Sequence, residues 1–233
     1  GASLSEDTDK RESEYTLKPD MSDAERYEIL NGKTIHVVTG VDQSPYQDQL
    51  LRIDSLPPKA KSKVEKEIYA LAEKLGILRQ SMTSPEIEFE FQISKNNGLK
   101  KSLSNQLEYG GSYGDFARAL INLDKIIPNA VLIDAYTKDR YEDTSRADAR
   151  FEGAYVLLGA FGDGENIIPV KMTIKKDAGY TGNLYVVVAM TKIKRTGVMG
   201  SEGTTPYGVE QSLPVTDSTY SIRQIVSNVN TAD

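Results

Sequence analysis

Six cationic side chains crowd one predicted hairpin, and they are the first candidates for chemistry in this sequence. Residues 166–195 contain a single acid, Asp177, and a charge balance of +5. The six cations are Lys171, Lys175, Lys176, Lys192, Lys194 and Arg195. Lys100 and Lys101 come earlier in the chain and are expected to add to the same face. Such a patch predicts phosphate binding. The favoured alternative is a solvated face whose lysines protect strand edges.

Cleavage of RNA through its 2'-hydroxyl needs a base, an acid and a cation that stabilises the phosphorane. His36 is the only histidine. Its imidazole titrates near neutrality, but its predicted strand lies at a sheet edge outside the core, so a structural or exposed role is favoured. Lys171 and Lys192 would then carry the reaction with Tyr136 and Arg140. The last two suit base stacking, phosphate contact or a protein interface equally well.

No other motif predicts catalysis or a metal site. The chain has no cysteine, which removes thiolate nucleophiles and cysteine-ligated metals. The acids at 139–152 lack the spacing of metal ligands. The glycine-rich segment 110–114 is similar to a phosphate-binding loop before a helix, but it lacks the Lys-Ser/Thr pair of a P-loop, so a hinge is favoured. We predict no cofactor, and we leave open whether the chain is an enzyme.

The net charge of −6 is concentrated at the start of the chain. Residues 1–54 hold 12 acids and 6 bases, so the remaining residues, with 22 of each, are neutral. Any attraction for nucleic acid must then come from a local patch. No apolar run is long enough to cross a bilayer, and no signal peptide is recognisable. A cytoplasmic location without membrane partners is expected.

Hydrophobic periodicity predicts an α+β fold in which helices pack on one face of an antiparallel meander of four to five strands. A capping box of Ser22 and Glu25 predicts a short helix that ends at 31–32. Two amphipathic helices follow, one ending at Gly76 and one covering 113–127 before Pro128. Strands are predicted at 34–39, 87–93, 130–136, 151–161, 167–175 and 184–194, with a turn at 96–98.

Composition predicts that the chain is divided into four segments. Residues 1–20 have almost no aliphatic side chain and are predicted to be a disordered linker. Residues 21–54 form a leading segment with a short helix and an edge strand, and residues 55–195 form the α+β core. Residues 196–233 are predicted to be a Gly/Thr/Ser/Pro-rich linker with a short docking helix. We expect this chain to be one module of a longer protein.

Several short segments resemble the large polyvalent protein-associated domains of phages, prophages and conjugative elements of gut Firmicutes. The segments are YTLK at 15–18, MSDAERYEIL at 21–30, ISKNNGLKKS at 93–102, LDKIIPNA at 123–130 and TYSIRQI at 219–225. Such modules belong to giant multidomain proteins that act in a recipient cell. The resemblance implies an accessory binding module that is not catalytic, with neighbouring domains of the parent protein, RNA or a host protein as partners.

A second resemblance is architectural. Helices followed by an antiparallel meander are similar to the barnase, EndoU, colicin and RelE group of small ribonucleases. This resemblance implies the alternative function, a metal-independent ribonuclease that is poor in histidine. Because a fold does not carry a function with it, the cationic and aromatic side chains must be placed in space before either alternative is preferred.

Overall fold

The computed structural model describes residues 17, 21–137, 151–177, 181–196, 213–214 and 218–229. Within these residues the chain forms seven α-helices and ten strands. The helices are α1 (Asp23–Asn31), α2 (Gln47–Ser55), α3 (Lys61–Leu75), α4 (Lys101–Tyr109), α5 (Tyr113–Ile121), α6 (Leu123–Asn129) and α7 (Ile222–Val229). A 3₁₀ helix at Ser44–Tyr46 precedes α2, and a π-helix at Lys95–Lys100 precedes α4. No helix in these ranges is both long and apolar enough to cross a membrane.

The strands form one mixed, strongly curled sheet. They are β1 (Thr34–Thr39), β2 (Met82–Ser84), β3 (Ile87–Gln92), β4 (Val131–Thr137), β5 (Phe151–Gly162), β6 (Asn166–Asp177), β7 (Thr181–Ala189), β8 (Ile193–Thr196), β9 (Leu213–Pro214) and β10 (Thr219–Ser221). Strands β4 to β7 pair antiparallel in sequence order, which is the predicted meander. The α+β class is therefore confirmed.

The prediction of a four- to five-stranded antiparallel sheet is wrong. Strand β1 pairs parallel with the end of β5, and β3 pairs parallel with the start of β7. Strands β5 and β6 are each 12 residues long, so each has room for two neighbours along one edge. Strand β5 pairs with β4 and then with β1, while β6 pairs with β7 and then with β8. Periodicity identifies a strand but not its partner, which is why these pairings were missed.

The two faces of the sheet are buried by different elements. The first face packs against helices α2 to α6, and it includes Leu157 and Phe161 of β5 with Val170 and Met172 of β6. The second face has a smaller core near the β5–β6 turn, where Leu158, Ala160 and Ile167 meet β1, β10 and α7. Strand alternation therefore points Lys171, Thr173 and Lys175 away from the helices.

Local sequence signals position several helices as expected. The capping box is present, because the Ser22 hydroxyl accepts from the Glu25 N–H at 3.3 Å and the Glu25 carboxylate accepts from the Ser22 N–H at 2.8 Å. Helix α3 ends at Gly76, whose φ of 67° is left-handed. The helix predicted at 113–127 is divided into α5 and α6 at Asn122, whose buried side chain accepts from the Val41 N–H at 2.8 Å. The turn predicted at 96–98 is instead part of the π-helix.

Candidate functional site

Two lysines lie over the ring of Tyr185 on the second face of the sheet, and a third lies about 13 Å further along the same face of β6. The Lys175 Nζ of β6 lies 3.6 Å from the centroid of the Tyr185 ring, and the Lys101 Nζ at the start of α4 lies 5.8 Å from it. Lys171 lies four residues before Lys175 on the same face of β6 and is exposed. We call these four residues the Tyr185 cluster. Ammonium groups over a tyrosine ring are held by the negative face of the π-system.

A β-bulge aims Tyr185 at these lysines. Ile174 of β6 pairs with Leu184, and Thr173 pairs with Val186, so Tyr185 is the extra residue between the two pairs. An extra residue of this kind is unpaired, bends its strand and redirects a side chain, and bulges are frequent beside functional sites. The bulge also lets both Leu184 and Val187 enter the main core despite their odd spacing.

Helix α4 holds the edge of β7 in place of a neighbouring strand. The Gln106 amide donates to the Ala189 carbonyl at 2.7 Å and accepts from the Ala189 N–H at 2.9 Å. One turn earlier, the Ser102 hydroxyl accepts from the Val187 N–H at 2.8 Å and donates to the Gly98 carbonyl at 2.7 Å. Both side chains are fully buried. The same helix that carries Lys101 therefore fixes the strand that carries Tyr185.

Tyr136 is the second aromatic residue near this surface. It pairs with Ala154 of β5, which in turn pairs with Lys175 of β6. Directly paired residues share a face, and adjacent strands are roughly 4.8 Å apart, so Tyr136 lies about 10 Å from Lys175 in the same row. Lys100 is exposed beside Lys101. The structure thus brings five sequence-predicted residues, Lys100, Lys101, Tyr136, Lys171 and Lys175, to one area.

The other cations of the hairpin lie elsewhere. Lys176 lies 5.8 Å from the ring of Phe89, which packs against the main core. Lys194 pairs across the ladder with Asn166 at the far end of β6. That position is nine residues from Lys175, which at about 3.3 Å per residue is roughly 30 Å. One stretch of sequence therefore supplies two separate cationic regions.

Lys192 is paired with a carboxylate at the far end. Its Nζ lies 3.6 Å from Oδ1 of Asp115, whose side chain is buried at the start of α5. It also interacts with Asp163 of the β5–β6 turn. Burial alone would raise the pKa of Asp163, but hydrogen bonds from the N–H groups of Asn166 and Glu165, with the Lys192 charge, lower it. Lys192 is thus part of a mixed-charge network.

The remaining catalytic candidates do not join Lys171. His36 is exposed on β1 and pairs with Thr219 of β10, at the covered end of the second face. Arg140 lies outside the described residues. A ribonuclease would need its base, acid and cation around one phosphate. Among the described candidates, Lys171, Lys192 and His36 belong to three different parts of the sheet. No group of three or more His, Asp or Glu in the described ranges could hold a metal ion.

The glycine-rich segment 110–114 packs against the edge of β7. The Gly111 N–H donates to the Ala189 carbonyl at 2.8 Å, and the Asp115 N–H is capped by the Ser112 hydroxyl at 3.1 Å. A Cβ on Gly110 would lie 2.6 Å from the Ala189 oxygen, so glycine is required for this close approach. The buried carboxylate of Asp115 opposes an anion at this helix start. The segment has a packing role.

Comparison with known proteins adds no further constraint. No protein-family model matches the chain, and no curated protein or solved structure matches it. Tyr185 was missed by sequence reasoning, because the apolar run that follows it predicts a buried strand, and nothing in that run signals a bulge.

Proposed function

We propose that the chain is a non-catalytic binding module that binds single-stranded nucleic acid at the Tyr185 cluster. The observation that carries the proposal is the convergence of lysines from two separate elements, α4 and β6, on one tyrosine of β7. Sequence-independent binding of single strands combines cations that follow the phosphates with aromatic side chains beside the bases. Tyr136 in the same row extends the surface in the direction that a strand would follow.

We further propose that the module is an accessory part of a polyvalent protein of a mobile genetic element. The five segments quoted above support this setting, and they are spread over most of the chain. In such a protein, a nucleic-acid-binding module would keep neighbouring domains close to DNA or RNA. The binding proposal does not depend on this setting and is tested independently.

The salt dependence of the binding constant tests which lysines contact phosphates. Each lysine that neutralises a phosphate of a single strand contributes about −0.7 to the slope of log K against log salt. The three lysines of the Tyr185 cluster therefore predict a slope of about −2. A protein that binds through the whole set of six hairpin cations would give about −4. The slope thus separates the Tyr185 cluster from a diffuse attraction to the entire hairpin.

Fluorescence anisotropy with a labelled 12-nucleotide RNA tests the surface. Lys171→Ala/Lys175→Ala should weaken binding at least about tenfold, since two of three phosphate contacts are lost. The matched control is Lys63→Ala/Lys66→Ala, which removes the same charge from the exposed side of α3 and should change affinity less than about twofold. Equal losses in both variants, or equally tight binding of polyglutamate, would reject a nucleic-acid surface.

Incubation with total bacterial RNA tests the non-catalytic part of the proposal. We expect the RNA to stay intact at all protein and salt concentrations, because Lys171 and Lys192 do not act on one phosphate. RNA cleavage by the wild type that is abolished by Lys171→Ala or Lys192→Ala would overturn this part and establish the ribonuclease alternative. A nuclease also binds its substrate, so the binding assay alone cannot exclude cleavage. The incubation with RNA therefore tests the non-catalytic part separately.

A further inference from the structure

A second concave site lies at the opposite end of the sheet from the Tyr185 cluster. A cleft of about 370 Å³ opens between the loop that follows β1 and the turn that joins β5 to β6. Thr39 and Gln43 line one wall, Gly162 and Asp163 line the other, and Arg195 of β8 completes it. This cleft is not part of the proposed nucleic-acid surface and does not depend on it.

The guanidinium of Arg195 has unused hydrogen-bonding capacity. Among the described residues, its buried Nε has no hydrogen-bond partner and no carboxylate is paired with it. A guanidinium cannot lose its charge in a protein. A buried donor without an acceptor is costly, although the Arg195 side chain as a whole is only half-buried. The geometry therefore contains a positive group that lacks a partner.

Backbone contacts place Arg195 in the wall of the cleft. Its backbone N–H donates to the Glu165 carbonyl at 2.7 Å. The guanidinium lies against Gly162, where an added Cβ would be 2.7 Å from Nη2, so a larger residue would displace it. On the opposite wall, the Gly40 N–H donates to the Gly162 carbonyl at 3.0 Å. The planar fork of a guanidinium is pre-organised, so it loses less freedom for each hydrogen bond that it forms.

Asp163 on the rim does not neutralise this cation. Its Oδ1 accepts from the backbone N–H groups of Glu165 and Asn166 at 3.0 and 2.7 Å, and thereby caps the β5–β6 turn. Thr39 and Gln43 supply a hydroxyl and an amide as further donors on the other wall. The lining of the cleft thus combines one cation, two neutral side-chain donors and a single carboxylate that already accepts hydrogen bonds from the backbone.

We propose that this cleft is a binding site for a small oxyanion, a phosphate monoester or a carboxylate, held by Arg195. The planar fork of a guanidinium pairs with two oxygens of either group, and the remaining oxygens face Thr39 and Gln43. The size of the cleft admits one such group with part of the molecule that carries it. The binding partner is recognised by its anionic end.

Nuclear magnetic resonance of the arginine Nε–Hε groups tests the site directly. The signal of Arg195 is the one absent from the spectrum of Arg195→Lys. Titration with inorganic phosphate or with acetate should shift this signal to saturation, with Kd on the order of 1–10 mM. The oxyanion that binds more tightly identifies the ligand class. A signal that moves no more than in sodium chloride of equal ionic strength would overturn the proposal.

Thermal stability provides the matched comparison. The preferred oxyanion should raise the unfolding temperature of the wild type above the chloride control, because it binds only the folded state. Arg195→Lys should weaken binding about tenfold, since an ammonium offers no planar fork. Lys194→Gln removes the neighbouring cation, which does not line the cleft, and should leave affinity within about twofold. An equal effect of both variants would show that general charge, and no specific site, attracts the anion.

Discussion

Replacement of Gln106 by alanine is the sharpest test of how α4 positions the Tyr185 cluster. Gln106 is fully buried, and its amide makes a reciprocal pair of hydrogen bonds with Ala189 at the edge of β7. In Gln106→Ala, the Ala189 carbonyl keeps its bond from the Gly111 N–H at 2.8 Å. The Ala189 N–H loses its only described acceptor and stays buried.

The expected loss in the free energy of unfolding follows from these contacts. One orphaned buried amide costs about 1–3 kcal/mol, and the lost methylene adds about 0.8 kcal/mol. We therefore expect Gln106→Ala to lower the free energy of unfolding by about 2–4 kcal/mol. Asn105→Ala is the control, because Asn105 is half-buried on the same helix and its side chain bonds only within that helix, to the Lys101 carbonyl. Its effect should stay within about 0.5 kcal/mol.

Urea denaturation measures both variants, and hydrogen exchange of the Ala189 amide locates the effect. Protection of that amide should fall in Gln106→Ala more than protection of amides in α3. The reasoning is refuted if the two variants differ by less than about 1 kcal/mol, the low end of the orphaned-amide cost. It is also refuted if Ala189 keeps its full protection.

Two further predictions concern ionisable groups. Burial, with a smaller effect of the hydrogen bond to Glu65, raises the pKa of Tyr69 above its ordinary 10.0. The unfolded chain therefore loses this proton first, so stability should fall as pH rises above 10, and less so in Tyr69→Phe; urea titrations at pH 9 and 11 measure the difference. Arg26 is buried against Asp134. In urea denaturation, Arg26→Ala should lower the free energy of unfolding by about 1–3 kcal/mol, against about 1 kcal/mol for the helix-cap variant Ser22→Ala. Equal losses in the two variants would reject a buried-pair role.

Sequence reasoning succeeded where one short motif decides the structure. The capping box of Ser22 and Glu25 starts α1, and Gly76 ends α3 in the left-handed conformation. In both cases the determining contacts lie within one helical turn. The alternation of apolar residues likewise located β4 to β7, because neighbouring strands in a meander need only short connections.

Sequence reasoning failed where contacts between residues distant in sequence decide the local structure. Asn96, Asn97 and Gly98 predict a turn by composition, but they lie in the π-helix Lys95–Lys100, which Ser94 caps. Gly98 has a packing role there, since an added Cβ would be 2.7 Å from Cγ1 of Ile93 and 3.0 Å from the Leu184 carbonyl. A glycine that a turn requires and a glycine that a neighbouring strand requires look the same in sequence.

The basic hairpin shows the same limit at the level of charge. Its balance of +5 is a count along the chain, whereas binding depends on density in space. The length of β6 separates Lys175 from Lys194 by roughly 30 Å, and Lys192 is held by Asp115. Lys101, which is distant in sequence, takes the place of these cations beside Tyr185.

This separation has a consequence for ligand length. A stacked tetranucleotide, at about 3.4 Å per nucleotide, covers less than half of the roughly 30 Å between the two cationic ends. If the Tyr185 cluster is the whole surface, the tetranucleotide and a 12-nucleotide strand should give the same salt slope of about −2. A slope that steepens towards −4 with length would require phosphates to reach Lys194 and Arg195 as well. The arrangement around Tyr185, with a bulge that aims the ring and a helix that holds the strand, favours the first result.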